Sequence, residues 1–149
     1  AAVRAMAGTA EGRVLVAEVA EEGSALFLAA NGCQVTAVHR ETGPLERVLV
    51  AANEAGLAER VRAVAADLTT WEPDAPLTAV ICAPSALAGL NLKDRRRVIE
   101  VLQLATAEGG VHLVQTVAAI LRDPGLVDRW AAGEAVFRPA GQSPASATT

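Results

Sequence analysis

Five side chains able to donate electron pairs to a cation or take up a proton follow closely on short apolar runs. Glu18, Glu21 and Glu22 close the stretch RVLVAEVAEE, His39 ends CQVTAVH, and Asp67 follows RVRAVAA. Carboxylates with one imidazole suit a divalent cation, but no H-x-H or E-x-x-H spacing fixes these five as a ligand set. A cation site is therefore a minor reading, beside solvated loop acids and an exposed histidine. Ser85 in AVICAPS has no His and acid in fixed relation to make it a nucleophile, and a turn serine after Pro84 is expected. Cys82, among Val80, Ile81 and Ala83, reads as a buried, inert thiol. His112 lies in an apolar run and reads as a satisfied core or edge histidine. Lys93, Arg95, Arg96 and Arg97 cluster where a helix should begin, the end at which the helix dipole disfavours cations. A solvated helix face with Asp94 and Glu100 as counter-charges is expected there. Trp71 and Trp130 are expected to pack rather than cover a ligand.

The elements that must position these groups are bounded first by composition. With 149 residues, 52% apolar and 20% charged, the chain has the size of one domain and is too apolar for disorder. Thirteen Lys and Arg against seventeen Asp and Glu give a net charge of -4, which lacks the basic footprint of a nucleic-acid or anionic-membrane binder. Cys33 and Cys82 lie 49 positions apart, without C-x-x-C spacing. Neither a disulfide framework nor a structural zinc site is indicated, and a reducing cytoplasm is the expected setting. The opening AAVRAMAGTA is broken by Arg4 and Gly8 and lacks the apolar segment of a signal peptide. It has no initiating Met, which leaves a processed chain or a fragment of a longer one open. Alanine occurs 33 times and Lys93 is the single lysine, so much of the apolar fraction consists of small side chains that pack closely but bury little area each.

Periodicity alternates short β-branched runs with helical stretches, the signature of βαβ units and a parallel sheet. Strands are expected at 13–19, 33–39, 60–66, 77–83 and 111–117. Helices are expected in SALFLAANG with Gly32 as its C-cap, from Gly43-Pro44 through Ala55 closed by Gly56, and from Lys93 to Ala107 stopped by Gly109-Gly110. A short helix around Leu126 to Trp130, a final strand at Ala135 to Arg138 and a flexible tail follow. The organisation is an N-terminal segment 1–12, a domain 13–138 and a tail 139–149. The fold class is α/β, a Rossmann-like doubly wound three-layer domain with a mostly parallel sheet. Such sheets bind ligands outside the carboxyl ends of the strands, where the strand order reverses. A nucleotide-binding loop after the first strand would need glycines, but Glu18-Val19-Ala20-Glu21-Glu22-Gly23 has one glycine and three carboxylates.

ALFLAANG after the first strand, VTAVHR at the second, RVRAVAADL at the third, AVICAPS at the fourth and ATAEGGVHLV leading into the fifth are spread from Arg13 to Val117. In order and spacing they resemble the class I S-adenosylmethionine-dependent methyltransferases, most closely the tellurite-resistance and thiopurine type. The resemblance implies an acid and three glycines, D-x-G-x-G-x-G, at Val16, Glu18, Ala20 and Glu22, and all four are replaced. It implies a ribose-binding acid at His39, also replaced. At Asp67 and Leu68 it implies contact with the adenine amine, and here the acid is kept.

Replacing a loop glycine by glutamate adds a Cβ and a charged chain where backbone must approach a ligand, and loses the φ > 0 conformations glycine allows. Glu21 and Glu22 fall at the start of the first helix, where their carboxylates are expected to occupy the helix pole in the ligand's place. The expectation is a methyltransferase-like domain that has lost S-adenosylmethionine binding, has no cofactor, and acts as a structural or partner-binding module. The alternative is an active S-adenosylmethionine-dependent methyltransferase on a small-molecule acceptor. A short end to the chain would leave the strand VHLVQTV as an incompletely covered sheet edge, so a homo-oligomer or a protein partner is expected.

Overall fold

In the computed structural model, residues 12–74 and 76–115 are described, and all of them belong to one compact unit. Five strands, β1 (Arg13–Ala17), β2 (Gln34–His39), β3 (Val61–Ala65), β4 (Leu77–Cys82) and β5 (Thr106–Val114), form one sheet in the order β3-β2-β1-β4-β5. Every pairing is parallel, and Val16 lies opposite Ala37 on one side and Ile81 on the other. The helices are α1 (Glu22–Ala30), α2 (Thr42–Glu54), α3 (Pro84–Ala88) and α4 (Leu92–Ala105), with a 3-10 turn at Ala58–Arg60. This is the expected Rossmann-like α/β sheet with flanking helices.

The alternation of side chains along a strand separates two cores. Val14 and Val16 of β1 join Ala25 and Leu28 of α1 and Leu45, Val48 and Ala52 of α2 on one face. Leu15 and Ala17 join Leu68, Val80, Val98 and Leu102 on the other. A strand covered on both faces reads as a continuous apolar run, which is why RVLVA and LTAVIC stand out in the sequence. Residues 66–74, which follow β3, contain no helix, and in this stretch Leu68 is buried while the half-buried Trp71 packs on the second core. The expected packing role of Trp71 holds, whereas Trp130, the helix near it and the strand at 135–138 lie outside the described residues.

Several boundaries differ from expectation. β1 stops at Ala17 because Glu18 turns into the left-handed region at φ 54. α4 ends at Ala105, and Gly109-Gly110 is not its stop but part of β5. Thr106 leaves the helix with extended backbone, while its hydroxyl donates to Leu102 O at 2.6 Å and meets His112 Nε2 at 2.7 Å. Thr106 pairs with Leu77 and Val111 with Ala79, so Ala107 to Gly110 stand against the single residue Thr78, and the surplus is taken up as an irregularity with Gly109 at φ 78. Of the expected fifth strand, 111–114 are in the ladder. The segment after β4 is the short helix α3, with Pro84 in its first turn, rather than a turn, and Ser85 lies exposed in it.

Candidate functional site

The strand order reverses between β1 and β4, so the carboxyl end of β1 borders the place where a sheet of this kind receives a ligand. Glu18 is the first residue past β1. Its N–H donates to Val38 O at 2.8 Å, which bends the chain across the end of β2. This geometry requires the positive φ, a conformation that costs a residue with a Cβ about 1 kcal/mol relative to glycine. The side chain turns inward and leaves Glu18 only 3% exposed, as the single buried charged residue among the described residues.

The carboxylate faces the end of β2. Oε2 lies 3.4 Å from His39 Nε2, and Oε1 lies 3.5 Å from Arg40 Nε, whose side chain is half exposed. Oε1 is buried without a hydrogen-bond partner, although a buried ionised oxygen carries a large desolvation cost. His39 Nδ1 accepts the backbone N–H of Glu41 at 2.9 Å, which places the ring hydrogen of the neutral imidazole on Nε2, toward Glu18. His39 is therefore half-buried and oriented from both sides, not the exposed histidine expected.

Asp67 lies just beyond β3, exposed, and its Oδ1 accepts Thr69 N at 2.8 Å and Thr69 Oγ1 at 2.7 Å. These bonds, aided by the charge of Arg40, hold its carboxyl below the ordinary range. Leu68 points into the second core. Glu21 and Glu22 stand at the start of the first helix as expected, at the N-cap of α1 and in its first turn, but both are exposed and Glu21 makes no side-chain cap bond. With Gly23 and Ser24 also exposed, both carboxylates remain hydrated, and only Glu18 turns inward, against His39 and Arg40. Among the described residues no group of three or more His, Cys, Asp or Glu is gathered to hold a metal ion. The five donors singled out as a cation set are thus dispersed, with only Glu18 and His39 brought together.

The other candidates take structural places. Burial pushes the Cys82 thiol up to about 11, the inert state expected of it. His112 is half-buried and satisfied by Thr106, and burial lowers its pKa. The basic cluster of α4 is not simply a solvated face. Arg95 donates to Leu87 O and Leu90 O, both at 3.2 Å, and Arg97 to Thr69 O at 3.0 Å, so two of its four cations tie the end of α3 and the preceding loops to the helix. Nothing in the local pattern of RVLVAEVAEE separates the buried Glu18 from the exposed Glu21 and Glu22.

No family model matches the chain, and no curated protein matches it. Solved structures do. The glycopeptide N-methyltransferase MtfA complexed with S-adenosyl-L-homocysteine superposes with a TM-score of 0.63 at 22% identity, over 76% of this chain and 46% of that one. An S-adenosylmethionine-dependent methyltransferase from Thiobacillus denitrificans, also complexed with S-adenosyl-L-homocysteine, gives 0.63 at 18% identity, covering 76% and 45% of the two chains. A TehB-like methyltransferase from Corynebacterium glutamicum gives 0.64 at 13% identity, covering 79% and 61%. The chain spans about half the length of the first two of these structures. A parallel sheet in the order β3-β2-β1-β4-β5 and these superpositions identify the fold as that of the class I S-adenosylmethionine-dependent methyltransferases.

Proposed function

We propose that this chain is a methyltransferase-fold domain that does not bind S-adenosylmethionine and serves as a structural or partner-binding module, in the cytoplasm. One observation carries the reading: a buried carboxylate, that of Glu18, stands at the end of β1 in a backbone conformation suited to glycine. The resemblance assigns that position to the first loop glycine, where the backbone must come close to the ligand. Glu18 and His39 face each other there, so both polar groups are directed inward rather than toward a ribose. Ala20, just before α1, and Glu22, in its first turn, stand exposed at the second and third glycine positions and add side chains there. The residues present are a poor fit to the cofactor. Asp67 and Leu68 alone keep what an adenine contact would use, which is too little to hold a nucleoside, because fold kinship does not carry function once site residues are replaced.

Isothermal titration of the chain with S-adenosylmethionine and with S-adenosylhomocysteine tests the reading. No binding heat is expected up to ligand concentrations of about 1 mM. Saturable binding below that range would overturn it in favour of an active methyltransferase acting on a small molecule, with Asp67 at the adenine and His39 at the ribose.

A further inference from the structure

We propose that the amino-terminal end of the sheet, the end opposite Glu18, carries a binding site of its own, a cleft between Arg13, Arg62 and Trp71 that takes a small aromatic monocarboxylate. This site stands whether or not the chain binds S-adenosylmethionine, because it lies at the other end of the strands.

The cleft arises from what the sheet lacks there. Parallel strands are usually joined by a helix laid over the sheet, but residues 66–74, which follow β3, contain none. The sheet face on that side changes character along its length. Toward the carboxyl ends of the strands Ala17 and Val38 are buried in the second core, and Val64 packs against it. Toward the amino ends the same face presents Arg13, Gln34, Thr36 and Arg62. Leu15, Thr36 and Arg62 stand in one row across β1, β2 and β3. A face covered by a helix is apolar throughout, so the polar half is matched to something other than a packed helix.

These side chains line a cleft of about 260 Å³ together with Trp71, Pro73, Asp74 and Leu77. Leu15 and Leu77 are buried and give it an apolar lining, while the half-buried Trp71 adds a flat aromatic surface. The volume falls below the roughly 300–1,000 Å³ usual for drug-sized ligands, so the occupant is small and flat, with about one or two rings. Charge selects its other end. Arg62 Nη1 donates to Asp74 Oδ2 at 2.9 Å, and the Asp74 carboxyl is held below its ordinary range, first by Arg62 and further by the charge of Arg13. Two guanidinium groups thus share one carboxylate, which leaves one positive charge for a second carboxylate to neutralise. The planar fork of a guanidinium suits that group in particular. The Arg62 and Asp74 side chains are 60% and 71% exposed, so their pair is weak enough for an incoming carboxylate to compete for Arg62. The aromatic side of the cleft is already in place. Trp71 N donates to Asp67 O at 2.9 Å, and Arg97 Nε donates to Thr69 O at 3.0 Å, so the segment bearing Trp71 is anchored at two points.

Titration of the full chain with benzoate, acetate and benzyl alcohol, followed through backbone and indole N–H magnetic resonances, tests the site. Benzoate should saturate with a dissociation constant of about 1 mM or below, shifting the resonances of Thr36, Arg62 and Trp71. Acetate lacks the ring and benzyl alcohol lacks the charge, so each should bind at least about tenfold more weakly. Arg13→Gln and Arg62→Gln should each weaken benzoate binding by about fivefold or more. Asp74→Asn removes the internal competitor and should tighten it by about threefold or more, although it breaks an ion pair. All three positions are exposed, and a melting temperature within about 3 °C of the original shows each variant to be folded. The absence of saturable benzoate binding up to about 10 mM overturns the proposal. So does acetate or benzyl alcohol binding as tightly as benzoate, or benzoate binding unchanged in both arginine variants. Binding by Asp74→Asn no tighter than by the unaltered chain also overturns it, because Asp74 would then be only a structural partner of Arg62.

Discussion

Asp67 holds its charge mainly by a local device. Thr69 donates to Oδ1 from both its backbone N–H and its hydroxyl, and these bonds are the main reason the carboxyl titrates below its ordinary value of 3.8. Because the folded value is depressed, the turn favours folding at pH values above the unfolded pKa, and that contribution fades as the pH falls through the folded one. Thr69→Val removes the stronger of the two bonds, so the Asp67 carboxyl resonance should titrate at higher pH, while stability at neutral pH changes little because the group is exposed. The Cys82 thiol moves the other way, raised by burial to about 11 from 9.0. Its neutral form suits the fold until the unfolded thiol ionises, so stability should fall as the pH rises from 9.0 toward 11. At pH 8 a thiol reagent should label Cys82 only after denaturant is added, and rapid labelling of the native chain would contradict its burial. At this scale the sequence shows which residues stand at the cofactor positions, since register follows from apolar runs on either side. The inward turn of Glu18 was not readable, because it depends on the carbonyl of Val38 and the ring of His39, about twenty positions away in the chain. Local pattern therefore treats Glu18, Glu21 and Glu22 alike, whereas the sheet buries the first and leaves the other two in water.

Strands β1 to β4 were legible because apolar runs of this length, bounded by turn residues, occur where a parallel sheet is covered on both faces. The start of β5 was not. A Gly-Gly pair after a helical stretch reads as a helix stop, but the helix ends four residues earlier, at the hydroxyl of Thr106. Gly110 is needed for a different reason, since a Cβ there would meet Thr106 Cγ2, Ala107 O at 2.9 Å and Thr78 O at 3.1 Å. Two of these are backbone atoms of the same sheet and cannot give way easily. Gly110→Ala should cost about 2 kcal/mol in urea denaturation, and a cost below about 0.5 kcal/mol would show that the irregularity in β5 relaxes freely. The start of α4 depends on Asn91, whose side chain accepts the N–H of Asp94 at 2.9 Å and donates to its carboxylate at 2.7 Å. Asn91→Ala should lower stability by about 1 kcal/mol, measured by the same method, and Asn91→Asp should recover part of the loss through the cap bond alone.

The order of the sheet places β5 at one side, where β4 is its strand neighbour among the described residues. Parallel sheets of this kind hide their sides, because unpaired N–H and C=O groups and apolar side chains at an edge recruit other chains. Val111 and Val114 are each 44% exposed on β5, and from Val111 to Val114 the strand carries no Lys, Arg, Asp or Glu to repel a neighbour. Leu113, by contrast, packs against the first core, so a charge placed there would unfold the domain instead of reporting on association. The two valines are the informative positions. If the domain works through a second copy of itself or another chain, multi-angle light scattering should show the mass of the unaltered chain rising with concentration. Val111→Lys together with Val114→Lys should hold it at the monomer mass, with a melting temperature within about 3 °C of the original, because exposed positions tolerate charge. A single monomer mass for the unaltered chain across the concentration range would place this strand outside any self-association, and the sheet's exposed valines would then be ordinary surface.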